Sequence, residues 1–219
     1  MKTIALTILL ALTGVSLMAQ DNESDQNNES QPIKTLLDNH GSCGVSIGFT
    51  SGYSTIDNKD AYLGGISLGL VSNHQLTVGI AGRAFGCSST FDNIIDGKEA
   101  YLAGGYGGFY VEPILNPNEV IHITLPCIAG VGGAAYAEHH HVDWENDEWD
   151  NDDHRDYTLD SDAFFVLEPG IQIEMNVTRW MRVGVGASHR WFYGLDLRNT
   201  KEDMLDGFST NFTLKLGKF

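Results

Sequence analysis

The chain has 219 residues and sets 13 Lys and Arg against 29 Asp and Glu, a formal net charge of −16 at pH 7. That anionic excess repels nucleic acid and anionic lipid surfaces, and excludes functions that depend on a broad basic face. The acids crowd into residues 21–30 and 138–162, so the charge belongs to tails and loops rather than to the framework.

The first nineteen residues carry Lys2, an apolar run from Ile4 to Leu12 broken only by Thr7, and the small Ala19 before polar Gln20. This is the layout of a cleavable secretory signal, residues 1–19. Gly14 and Ser16 end the run well short of the roughly 20 apolar residues that a spanning helix needs. Cleavage after Ala19 removes one lysine and no acid, which leaves 12 basic against 29 acidic residues and a net charge of −17. Residues 20–43 are rich in Asp, Asn, Glu, Ser and Gln and read as a flexible polar linker, because so few apolar side chains cannot offset the entropy of ordering. Within it, Ile33 to Leu37 has room for one helical turn.

From Gly44 the pattern becomes a period-two alternation with abundant glycine, in segments of strand length. The first sets Val45, Ile47 and Phe49 against Ser46, Gly48 and Thr50; the second, from Ala61, sets Ile66, Leu68 and Leu70 against Gly65, Ser67 and Gly69. A third alternates Leu76, Val78 and Ile80 with Thr77, Gly79 and Ala81. The fourth, Ala100 to Glu112, is so dense in glycine and tyrosine that its phase stays open. The fifth, Ile121 to Glu138, sets Ile121, Ile123, Leu125, Ala129 and Val131 against His122, Thr124, Gly130 and Gly132, and its Pro126 requires a bulge or a bend. The sixth, Ala163 to Val177, opposes Phe165, Leu167, Ile171, Ile173, Met175 and Val177 to Glu168, Gln172 and Glu174, which argues for a wet or ion-paired interior. The seventh, Met181 to Tyr193, and the eighth, around Phe208 to Leu216, alternate in the same way. The fold class expected is therefore all-β: an antiparallel, up-and-down transmembrane barrel of eight strands over residues 44–219.

Connections alternate in length. Ser72 to His74, Pro113 to Val120 and Thr178 to Arg179 are short; Thr55 to Asp60, Gly86 to Glu99, His139 to Asp162 and Gly194 to Asp206 are longer. Short turns on one side and long loops on the other are the habit of outer-membrane barrels. Aromatics near strand ends fit two interfacial girdles: Tyr53, Tyr62, Tyr101, Tyr136, Phe164, Trp191 and Tyr193 at the loop end, Tyr110 and Trp180 at the turn end. A soluble secreted β-sandwich or barrel is the competing fold, and it leaves the loop asymmetry without a cause. Cys43, Cys87 and Cys127 are an odd set, and the first two fall at opposite ends of a strand, so no disulfide is expected.

The segments GGYGGFYVEPIL at 104–115 and GIQIEMNVTRWMRVGVGASHRWF at 170–192, with the ending NFTLKLGKF, resemble small outer-membrane β-barrel proteins of Gram-negative bacteria. The resemblance covers residues 44–219. It implies residence in outer-membrane lipid, and insertion by the outer-membrane assembly machinery, which recognises a C-terminal strand ending in an aromatic. Here Phe219 shares its phase with Lys215 and Gly217 rather than with Leu214 and Leu216; a bulge or a freed last residue would restore it to the apolar face.

For chemistry, the third long loop offers His139, His140, His141, Asp143 and His154 among many further acids. Imidazole suits zinc or copper and clustered carboxylate suits calcium, so a divalent metal is the one cofactor this loop admits. The competing reading is a solvated acidic loop, and no calcium-loop spacing is present. No enzyme is expected. Ser188 and His189 are adjacent on a strand and point to opposite faces, so they cannot form a catalytic dyad directly. The GGYGG at 104–108 has no following helix to present phosphate. Three roles remain: a structural, adhesive or surface-interaction barrel, a narrow channel, and a metal or ligand receptor acting through the acidic loop. The first leads, because eight strands enclose a lumen that side chains fill. Inside it, a sixth-to-seventh turn centred on Arg179 places Glu168 opposite Arg190 and Asn176 opposite Arg182, and Glu168 and Arg190 are expected to form an ion pair.

Overall fold

A computed structural model describes residues 43–88, 91–95, 98–138, 158–197 and 203–219. The signal, most of the linker, and His139, His140, His141, Asp143 and His154 lie outside the described residues. Ten strands are present: β1 (Cys43–Ile56), β2 (Lys59–Ser72), β3 (Leu76–Cys87), β4 (Phe91–Ile95), β5 (Lys98–Leu115), β6 (Ile121–Thr124), β7 (Cys127–Glu138), β8 (Thr158–Thr178), β9 (Met181–Tyr193) and β10 (Gly207–Gly217). They form a closed ring of eight staves, because β6 and β7 are two halves of one stave and β4 only extends a hairpin on β5. Every pairing is antiparallel, and β10 returns to β1 with Ser46 opposite Gly217 and Ser54 opposite Ser209.

The period-two pattern makes this architecture. Val45, Phe49, Ile66, Leu68, Ile80, Phe109, Phe165, Ile171, Val185 and Phe212 all lie exposed on the outer wall. Glu112, Glu168, Glu174, Arg182, Arg190 and Lys215 are buried inside. A soluble barrel has the reverse arrangement, since burying charge is costly unless it is paired and exposed apolar surface is unfavourable in water. The phase of β5, open in the sequence, is settled: Leu102, Tyr106, Tyr110 and Glu112 point inward, and Phe109 and Val111 outward.

Several boundaries and devices differ from expectation. The connection at Thr55 to Asp60 is no long loop: Ile56 pairs with Lys59, and Asp57 and Asn58 form a two-residue turn with φ of 48° and 61°. Positive φ at both central positions matches the right-handed strand twist, and Asp and Asn tolerate it. Asn73 and His74 repeat the device with φ of 50° and 61°. β8 begins at Thr158, five residues before the expected Ala163, and part of the second long loop is the strand β4. At Pro126 the ladder breaks without the inserted residue of a bulge. The offset that pairs Ile114 with Thr124 also pairs Val111 with Cys127, and on the other side the offset of Ile123 with Ile173 also holds for Cys127 with Pro169. Hydrogen bonds from Leu125 N to Pro113 O (3.0 Å) and from Gly170 N to Pro126 O (2.7 Å) bridge the gap that the missing proline N–H leaves.

Cys43 lies opposite Ser72 and Cys87 opposite Ala61, the two ends of β2, and all three cysteines are free. Gly108 and Gly130 face each other inside the wall, so close that a Cβ on either would stand inside the partner backbone.

Candidate functional site

The lumen is divided along its axis. Toward the long-loop end it is an apolar plug, in which Ile56, Leu63, Phe85, Leu102, Tyr136, Phe164, Val166 and Phe192 meet Leu195, Leu197 and Leu205 from the last long loop. Aromatic rings fix this layer: Phe164 stands edge-on to Phe192 at 4.7 Å, and Tyr106 edge-on to Phe192 at 5.9 Å. Two carboxylates hold the loop down. Asp206 accepts from Phe192 N at 2.7 Å, and Asp162 accepts from Asp196 N at 2.5 Å. Burial pushes the Asp206 carboxyl up from its ordinary range, although the Phe192 N–H acts in the other direction. Tyr136 and Phe164, expected in the outer girdle, are plug residues instead, and Tyr110 is likewise buried in the lumen. Tyr53, Tyr62, Tyr193 and Trp180 do stand outside.

Below the plug sits a first ionic layer centred on Glu168. Its carboxylate meets Arg83 Nε at 3.2 Å, and accepts from Tyr106 OH at 2.7 Å and from Ser188 Oγ at 2.6 Å. One side chain of β8 thereby ties β3, β5 and β9 together. The register between β8 and β9 is as expected, with Gly170 opposite Ser188 and Asn176 opposite Arg182. The expected contact is not: Glu168 takes its ion partner from Arg83 across the lumen, while Arg190 donates to Ser54 Oγ at 2.5 Å and lies 6.0 Å from the Phe192 ring. The narrow lumen explains the exchange, since side chains from opposite walls of an eight-stranded barrel reach one another. Arg190 is fully buried, with Nε and Nη1 lacking hydrogen-bond partners.

Nearer the short-turn end lies a second ionic layer. Lys215 of β10 bonds both Glu112 of β5 and Glu174 of β8. Glu174 also accepts from Gln172 Nε2 at 2.8 Å and lies 3.4 Å from His122 Nε2. Arg182 stands opposite Lys215 in the ladder and makes no ion pair of its own among the described residues; its guanidinium lies 4.0 Å from the centre of the Phe219 ring. Phe219 thus stays on the lumen side, in the phase its position in the sequence gives. Between the two layers a small, partly open cavity lined by Thr50, Arg83, Gln172, Ser188 and Asn211 leaves a free volume of 20 Å³, enough for about one water.

Arg83, Glu112, His122 and Lys215 were not singled out as site residues from the sequence; Arg83, His122 and Lys215 are charged or imidazole side chains in the inward phase of alternating strands, a signal that would have found them, whereas Glu112 ends the segment whose phase the sequence leaves open. The plug was missed too; its signal was the spacing of Leu195, Leu197 and Leu205 inside a segment otherwise read as loop. Ser188 and His189 do face apart. Ser188 is buried in the lumen, and His189 packs against Trp191 at 4.6 Å and Phe208 at 4.4 Å. Among the described residues no group of three or more His, Cys, Asp or Glu could hold a metal.

No protein-family model and no curated protein sequence matches the chain. Solved structures do. Neisserial surface protein A aligns with a TM-score of 0.52 at 11% identity, over 82% of this chain and 99% of that one. The N-terminal β-barrel domain of OprF from Pseudomonas aeruginosa gives 0.43 at 10% identity over 81% and 99%. The attachment invasion locus protein Ail of Yersinia pestis, in complex with the heparin analogue sucrose octasulfate, gives 0.40 at 14% over 81% and 97%. The chain is similar in fold to Neisserial surface protein A along nearly the whole of that barrel.

Proposed function

We propose that the chain is an integral outer-membrane barrel with a structural, adhesive or surface-interaction role, exported by its N-terminal signal and inserted by the outer-membrane assembly machinery. The observation that carries this reading is the inverted barrel: a belt of exposed Val, Ile, Leu and Phe around a lumen of buried, hydrogen-bonded charge. Such a surface is stable only where lipid replaces water. Heat-modifiable migration on a gel, combined with fractionation of the host membranes, tests it. A chain that runs identically before and after boiling and fractionates with soluble protein would overturn the reading.

The scaffold role is favoured over a channel by the plug of Phe85, Leu102, Phe164, Phe192 and the three loop leucines, which closes the lumen toward the long loops. The purified barrel in planar bilayers is expected to show no steady single-channel conductance. Steady openings in the unmodified protein would instead favour the channel.

A further inference from the structure

The sharing of partners in the second ionic layer is uneven. Lys215 holds Glu112 and Glu174, and Arg182, opposite Lys215 in the ladder, makes no ion pair among the described residues. Arg182 is 4% exposed, and its Nε has no hydrogen-bond partner. A buried guanidinium with an unmet donor is costly, and the remedy is an acceptor or an anion. Arg182 lines a pocket open at the short-turn end, whose walls include Arg179, His74, Asn118, Asn176 and the ring of Phe219. No Asp or Glu side chain lines it, and the one carboxylate that its lining residues carry is the α-carboxylate of Phe219. On a chain of net charge −16 this mouth is a local cationic site.

We infer that the short-turn mouth of the barrel binds a small oxyanion, phosphate or carboxylate, held by Arg182 and Arg179 beside the Phe219 ring. Arg182, which lines the pocket, supplies a buried charge. Arg179, in the exposed turn between β8 and β9, supplies the second fork, and two guanidinium groups suit the several acceptor oxygens of one anion. Phe219 covers one face of the Arg182 guanidinium, which holds the fork in place, as a cation over an aromatic ring does. On the outer-membrane reading this mouth opens to the periplasm, and the oxyanion comes either from solution or from a phospholipid of the inner leaflet. The site itself does not depend on that reading.

Inorganic phosphate and acetate are titrated into the refolded full-length barrel in zwitterionic micelles, following the arginine side-chain Nε–Hε resonances by NMR. A saturable shift is expected for one resonance, assigned to Arg182 by its loss in Arg182→Lys. Arg179→Gln, at an exposed turn position where folding is not at stake, is expected to weaken binding roughly tenfold, the effect of one lost charge-assisted hydrogen bond. A gel shift on boiling confirms that each variant is folded. Repeating the titration in discs of phosphatidylcholine with and without phosphatidylglycerol separates the sources. An Arg182 resonance already shifted by the anionic lipid and unmoved by phosphate assigns the site to a lipid headgroup, and equal titrations in both assign it to a free oxyanion. A linear, unsaturating response in micelles and discs alike, or affinities unchanged by Arg179→Gln, would overturn the proposal.

Discussion

At the scale of single residues the lumen shows how a charge survives inside a barrel. Glu168 is 2% exposed, and it is tolerated because three donors from three other strands converge on it. Removing one partner leaves the other buried and unmet, so Glu168→Ala and Arg83→Ala are each expected to cost about 3–5 kcal/mol of folding stability. The double change should cost less than their sum, measured by urea unfolding in micelles. The same cycle between Glu168 and Arg190 should be close to additive, since Arg190 donates to Ser54 and not to the carboxylate. Strong coupling in the Arg190 cycle and none in the Arg83 cycle would restore the cross-strand pair. Gly130 makes the complementary point about space: Gly130→Val places a side chain where the backbone of Gly107 and Gly108 already stands, and should cost at least about 1–3 kcal/mol in the same assay.

At the scale of elements, Leu195, Leu197 and Leu205 are loop residues by their place between β9 and β10 and core residues by their packing. Leu205 is fully buried against the plug. Leu205→Ala is expected to destabilise the barrel by about 2–5 kcal/mol, and Leu197→Asp to loosen the plug enough for limited proteolysis to cut that loop in the folded protein. If Leu205→Ala unfolds like the unmodified chain, the loop is not part of the core. The third long loop calls for a different measurement. Calorimetry with zinc, on the unmodified chain and on a variant with His139, His140 and His141 all changed to Ala, should show a binding heat that the variant loses if imidazoles hold the metal. Equal heats would send the metal elsewhere.

At the scale of the whole molecule, the decisive property is which solvent the outer wall faces. Val185 lies on the belt at 58% exposure, and Val185→Arg should cost about 2–4 kcal/mol when folding is measured into lipid near the bilayer midplane. The same change on the outside of a water-soluble barrel would be within about 0.5 kcal/mol of neutral. A neutral result in lipid vesicles would therefore reject the membrane placement while leaving the ring of strands intact. Together, the charged lower lumen and the apolar plug make a barrel filled along its axis, and a filled barrel is suited to holding its loops and turns in place rather than to conducting.

The sequence by itself determined seven of the eight staves with their inward and outward faces, the presence but not the phase of β5, and the β8–β9 register, because each follows from local alternation and from short turns that fix pairing between neighbours. It also carried the two sides of Ser188 and His189 and the free state of Cys43 and Cys87, both consequences of strand geometry. It did not reveal that Asp57 and Asn58 make a tight turn, since a six-residue stretch that is polar except for Ile56 gives the same composition whether its ends are paired or free. Only the closed ring decided that Glu168 meets Arg83, that Lys215 meets Glu112, and that Leu195, Leu197 and Leu205 fold into the mouth. Those contacts join walls far apart along the chain, and a partner across a lumen is set by strand number, tilt and stagger together, which no local pattern encodes.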